Sequence, residues 1–171
     1  YSSEENIKYR NDYLDELISA VITENIILAE KISKKILLTD PNNQEAKLLM
    51  MVKSVNANNE QELESLRFDK DNQKNDLFEF IFFLNEKIKS NKDISNSFLE
   101  IVRSSYTKQS TNNSQNYNFL LFYTSLAALV NEKNYEAIFI KGQLLQMIDD
   151  YFFAESTYQK IPEESDYFID A

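Results

Sequence analysis

The chain has no Cys, no His and no Trp, and only one Gly and two Pro in 171 residues. Average usage is about 7% Gly and 5% Pro, so residues suited to tight turns are almost missing. That excludes all-β sandwiches and barrels, whose hairpins need such turns, and Gly-rich phosphate loops. Without His and Cys there is no common zinc site, no Ser-His-Asp or Cys-His nucleophile system, no c-type haem attachment and no disulfide. Long apolar runs are missing too. Phe80–Leu84 and Phe119–Tyr123 are five residues each, against about 20 for a transmembrane helix, so they read as buried helix faces and no direct membrane insertion is expected. No signal peptide or initiator Met is visible. The lack of Cys fits cytoplasm or periplasm equally.

Positive charge is scarce. Eighteen Lys+Arg against 28 Asp+Glu leave a net charge of −10, which opposes binding to a phosphate backbone. The densest basic run, Lys31-Ile32-Ser33-Lys34-Lys35, falls in the last turns of an expected helix, where it complements the helix dipole. No nucleic-acid partner is expected.

What is present is helical periodicity. Leu14, Leu17, Ile18, Val21 and Ile22 form one face; Ile26, Ala29, Ile32, Ile36 and Leu37 form the next. That second helix stops at Thr39-Asp40-Pro41 because the residue before Pro is driven from the α region. Pro41 is expected to open the third helix, where a missing N–H costs nothing. The third carries Ala46, Leu48, Leu49, Val52 and Val55 and fades in Asn56–Asn59. A short segment around Leu63 and Leu66, a polar loop over 67–76 and helices near 76–89 and 93–106 follow. Residues 107–116 are the most polar stretch and the best internal boundary. Helices are expected near 117–131, 135–148 and 151–161, with another starting at 165. No strand is evident.

Two separated segments share a frame. In the first, Tyr13 is followed by Leu17, Ala20 and Ala29, and closes on Asp40-Pro41-Asn42-Asn43. In the second, Ile138 is followed by Gly142, Leu145, Ala154 and Tyr158, with Asp149-Asp150-Tyr151 as the turn. This spacing resembles the tetratricopeptide repeat, a helix–turn–helix unit of about 34 residues. Small residues such as Ala29, Gly142 and Ala154 stand where paired helices approach, and Tyr158 fills the gap beside them. There are departures: no Trp, Lys141 at an apolar position, Ser33 at an aromatic one and Pro162 four residues early. The frames lie 125 positions apart (138 − 13), not a multiple of the repeat. An antiparallel bundle or another α-solenoid also places Ala and aromatics at such intervals.

The resemblance implies an all-α fold of antiparallel helix pairs stacked as a right-handed α-solenoid. Its parts would be repeat-like helices over 1–57, an irregular helical middle over 58–116 and repeat-like helices over 117–171, all one solenoid domain. The chain end, Ile161–Ala171, reads as a turn and a new helix cut in mid-face. That would expose Tyr167, Phe168 and Ile169 unless a further segment or a partner covers them.

No catalytic constellation is visible. Asp149-Asp150 and Glu163-Glu164 are adjacent pairs, and neighbours i and i+1 do not face each other on a helix. They fit capping and dipole roles. Di-metal carboxylate bundles need Glu-x-x-His pairs, so no metal and no cofactor is expected. Asn112-Asn113-Ser114 matches a glycosylation sequon and reads as a solvated loop. The family resemblance implies a non-enzymatic scaffold gripping a peptide or helix of another protein in a concave groove. That groove would include Leu14, Ile18, Val21, Leu48, Val52, Phe139, Gln143 and Met147. Several are apolar, so the groove would take an apolar segment or another helix of the same chain. The family's basic carboxylate clamp is not evident, since Lys8, Lys47, Lys53 and Lys141 are scattered. The alternative is a structural subunit of a larger assembly without exchangeable ligand.

Overall fold

Asn and Asp decide where helices begin, because their short side chains accept the backbone N–H groups that a first turn leaves unpaired. Five links carry such a cap. Asn25, Asn43, Asn59, Asn134 and Asp150 accept from Leu28, Ala46, Glu62, Ala137 and Phe153 at 3.0–3.4 Å. The computed structural model describes residues 3–66, 91–108 and 115–168, with side chains at 12–66, 91–105 and 117–168. Among them are eight helices and no strand: α1 (Ser3–Ile22), α2 (Ile26–Thr39), α3 (Gln44–Asn56), α4 (Glu60–Ser65), α5 (Asn91–Lys108), α6 (Gln115–Val130), α7 (Tyr135–Met147) and α8 (Tyr151–Tyr158). The expected all-α class is what the chain adopts. It divides into two units, Tyr1–Lys89 and Ser90–Ala171. The expected loop over 67–76, the expected helix over 76–89, the sequon and Ile169 lie outside the described residues.

A chain almost without glycine still turns sharply. Glu24, Asn58 and Asp149 take the left-handed conformation, with φ of 61°, 52° and 62°. In each case the next N–H reaches back five residues: Asn25 to Ala20 at 2.8 Å, Asn59 to Ser54 at 2.8 Å, Asp150 to Leu145 at 2.9 Å. This is the helix-terminating Schellman arrangement usually built on Gly. Asn and Asp tolerate that conformation better than most residues. The residue whose N–H reaches back is also the cap of the next helix, so helix end and helix start are welded into one link.

These links recur at fixed intervals. Asn58 follows Glu24 by 34 positions (58 − 24), and α4 starts 34 after α2 (60 − 26). Asp149 follows Asn58 by 91 (149 − 58), and α7 starts 91 after α3 (135 − 44). The four-residue links Asp40–Asn43 and Asn131–Asn134 also differ by 91, and in each the last N–H bonds the first C=O, at 3.0 and 2.9 Å. Unit 2 therefore repeats over 131–151 the helix boundaries and links of residues 40–60 in unit 1.

In unit 1, α2 packs on α1 and α3, and α3 packs on α4. Residues Ala46–Val52 of α3 are buried all round, as expected of a helix enclosed by neighbours. In unit 2, α6 lies against α5 and α7, with residues 120–127 all buried, and α8 packs on α7. A polar tie fixes its centre. Buried Ser95 donates to the Ala127 carbonyl at 2.7 Å and accepts from Asn134 Nδ2 at 2.8 Å, joining α5, α6 and the cap of α7.

Three expectations change. Pro41 lies in the link, not in the first turn of α3, because Asn43 captures the Ala46 N–H and starts the helix at Gln44. The last full helix ends at Tyr158, not 161, and Pro162 disfavours α geometry at Ile161, which turns inward and is buried. Through Phe168 no helix starts at 165. Instead Ser165 N–H bonds Pro162 O at 2.9 Å and Phe168 N–H bonds Ser165 O at 3.0 Å, forming successive turns.

Candidate functional site

The α7–α8 hairpin is built around the one glycine. A Cβ on Gly142 would lie 2.6 Å from Tyr158 Cζ and 2.8 Å from Cδ1, so the ring of Tyr158 occupies the volume a side chain would need. Tyr158 OH donates to Gln146 Oε1 at 3.0 Å, and its ring meets Phe139 at 6.0 Å between centroids. The 34- and 125-residue shifts put Leu17 and Met51 at the position of Gly142, and Ser33 at that of Tyr158 (142 − 125, 158 − 125). Large and small have exchanged places between the first and last hairpins.

The segment after Ile161 folds back on this hairpin. Tyr167 meets Phe139 at 5.8 Å and bonds to Glu136, which also pairs with Arg103 of α5. Burial, then Glu136, raises the pKa of Tyr167; burial alone raises that of Tyr158; the hydrogen bond to Asp149 raises that of Tyr151. All three shifts favour the protonated phenol. Glu136 and its hydrogen bond raise the pKa of Arg103 as well. Among the described residues no group of acidic side chains could hold a metal ion, and no helix is long and apolar enough to cross a membrane.

Beside Tyr158 lies an open pocket of about 570 Å³, lined by Gln146, Tyr151, Glu155, Tyr158, Ile161 and Phe168. A shallower one of about 510 Å³ adjoins it and shares Gln146 and Tyr151, adding Gln143 and Met147. Around them Phe152 is 77% exposed, Tyr151 61% and Met147 53%, with Ile148, Phe153 and Phe168 also exposed. Among the described residues of unit 1 the exposed large apolar side chains are Tyr13 on α1 and Ile27 and Leu38 at opposite ends of α2.

The eight groove residues expected from sequence divide between the units. In unit 1, Val21, Leu48 and Val52 are buried in the core, and Leu14 and Ile18 are half-buried on α1. The first three meet other helices of the same chain and present nothing to a partner. In unit 2, Phe139 is half-buried under Tyr158 and Tyr167, whereas Gln143 and Met147 line the shallow pocket. Of the scattered lysines, Lys47 and Lys141 are buried and Lys53 pairs with Glu30; the side chain of Lys8 lies outside the described residues. Sequence reading missed Tyr151, Phe152 and Phe153, although three consecutive aromatics cannot share one buried stripe. That alone marks at least one as exposed.

Comparison with protein-family models, with curated proteins and with solved structures found no match for this chain.

Proposed function

We propose that this chain is a non-enzymatic protein-interaction scaffold of tetratricopeptide-like helix pairs, stacked within each unit in the manner of a right-handed α-solenoid. Its partner is a peptide or helix of another protein, received on the surface formed by Gln143, Met147 and the exposed side of α8. The 34-residue recurrence of the links supports the repeat reading. One observation carries the functional one. Phe152 and Tyr151 stand at the positions of Gln61 and Glu60 in the equivalent hairpin (shift 91). The fold accepts polar residues there, so the aromatics are not required by the backbone, and an exposed apolar cluster of this kind marks interaction sites.

The test is selection of displayed peptides on the full chain, followed by calorimetry with the wild type and Phe152→Ser. Hot-spot aromatics cost about 2 kcal/mol or more on truncation, so affinity should fall at least about 30-fold with the melting temperature unchanged. Equal affinity in both proteins would remove this surface as the binding site. A second reading, a structural subunit of a larger assembly, rests on the same cluster. Light scattering of the isolated chain separates the two, since a well-behaved monomer opposes an obligate subunit.

A further inference from the structure

The larger pocket on the last hairpin has a composition that selects for charge as well as for apolar surface. Three aromatic rings, Tyr151, Tyr158 and Phe168, line it together with one carboxylate, Glu155. Aromatic faces attract cations through their quadrupoles, by about 0.5–1 kcal/mol when exposed and about 2 when desolvated. A carboxylate among them adds a hydrogen-bond acceptor of opposite charge. Glu155 is exposed and accepts from the neutral Gln159 amide at 3.5 Å, a long bond that leaves most of its lone pairs available.

The surroundings have the same sign. From Gln143 to Phe168 the chain carries six carboxylates, Asp149, Asp150, Glu155, Glu163, Glu164 and Asp166, against the single cation Lys160. That stretch of chain is thus net −5 (1 − 6) within a chain of −10. An acidic apolar segment would meet the like charge of Glu155 in the pocket and an acidic stretch of chain beside it. A neutral one would leave the carboxylate rim without complement.

Resting on the scaffold reading of this surface, we infer that its occupant is a basic amphipathic segment of a partner protein. A Lys or Arg side chain enters the pocket between Tyr151 and Phe168 and reaches Glu155. The neighbouring apolar residues of the segment cover Phe152 and Met147. Affinity then has two parts that salt separates. The rim charges are screened beyond a Debye length of about 8 Å at physiological ionic strength, while burial of Phe152 is insensitive to moderate salt.

The experiment uses the full chain and fluorescein-labelled amphipathic peptides built of Leu and Lys, with matched Leu/Glu and Leu/Ser peptides, read by anisotropy. The Leu/Lys peptide should bind, losing about tenfold between about 0.05 and 0.5 M salt. Glu155→Gln should weaken it several-fold and flatten the salt dependence. Phe152→Ser should weaken it at both salt concentrations, with helix content by circular dichroism unchanged. Equal or better binding of the Leu/Ser or Leu/Glu peptide, lost in Phe152→Ser, overturns the charge assignment and leaves the scaffold reading standing. No peptide binding at all, or Leu/Lys binding indifferent to both substitutions, overturns both. Self-association of the full chain that Phe152→Ser abolishes also overturns the inference, because the occupant is then a second copy.

Discussion

The α3–α4 and α7–α8 hairpins share one backbone and oppose each other in side-chain chemistry. Each starts on a buried Asn cap, turns on a left-handed Asn or Asp and restarts on an Asx cap, at positions 91 apart. After the turn, one continues Glu60-Gln61-Glu62 and the other Tyr151-Phe152-Phe153. Before it, the inner face holds Met51 in one and Gly142 in the other. The link is therefore dictated by polar caps and backbone bonds, and its outer surface is free to vary. Where α4 carries Glu and Gln, the same surface of α8 is aromatic and exposed. In α2 the corresponding residues are Ile26, Ile27 and Leu28, and Ile27 is 86% exposed. Apolar character at this position is thus not confined to one hairpin; in the last it stands beside two pockets.

The largest break in this comparison should come from two expected groove residues with opposite fates. Leu48→Ala removes a fully buried side chain and should cost about 3 kcal/mol in denaturant unfolding. Met147→Ala, half in solvent, should change stability by less than about 0.5 kcal/mol. Similar losses in both would mean that the two hairpins are equally enclosed.

Next come the caps. Asn134→Ala removes a buried cap and leaves Ser95 without its donor, and should cost about 2–3 kcal/mol. Asn59→Ala, at an exposed cap with a Glu62 partner at 3.0 Å, should cost about 1 kcal/mol.

Gly142→Ala sets two effects against each other. Ala gains about 1 kcal/mol in helix propensity, while overpacking against Tyr158 costs about 1–3 kcal/mol. A net loss of about 1 kcal/mol is expected, and it should vanish when Tyr158→Leu is added. A stabilised single mutant would show that the ring yields freely.

The smallest effect is in pH, and its sign differs between the units. Hydrogen bonds from Lys34, then Lys53, lower the pKa of Glu30 in unit 1. Its contribution is present above the ordinary glutamate range and lost as pH falls through its depressed folded value. Burial raises the pKa of Tyr158 in unit 2, so that contribution is present below the ordinary tyrosine range and lost as pH rises through the elevated folded value. Melting curves should show Glu30→Gln flattening the acid limb alone, and Tyr158→Phe the alkaline limb alone.

Most helix positions were legible because apolar spacing and Asx caps are local signals. Helix α3 ends at Asn56 and α2 begins at Ile26 where periodicity put them. Pro41 and the end of α8 were not, since each turns on a competition, Asn43 against Pro41 for the helix start and Pro162 against continuation at Ile161. The groove was legible only in part. Leu48 and Met147 look alike as apolar residues on a first helix, and only the neighbours packed around them distinguish core from surface.

By itself the sequence determined the helical class, the exclusion of His- and Cys-based chemistry and the acidic charge, because each depends on residue type or short-range spacing. Tertiary structure decided what becomes of the near absence of glycine. Three turns are made by Glu24, Asn58 and Asp149 in left-handed geometry, held by bonds five residues back, and the single glycine is reserved for the ring of Tyr158. Burial is a property of neighbours distant in the chain, so only the folded hairpins could tell which apolar residues hold the protein together and which are left exposed.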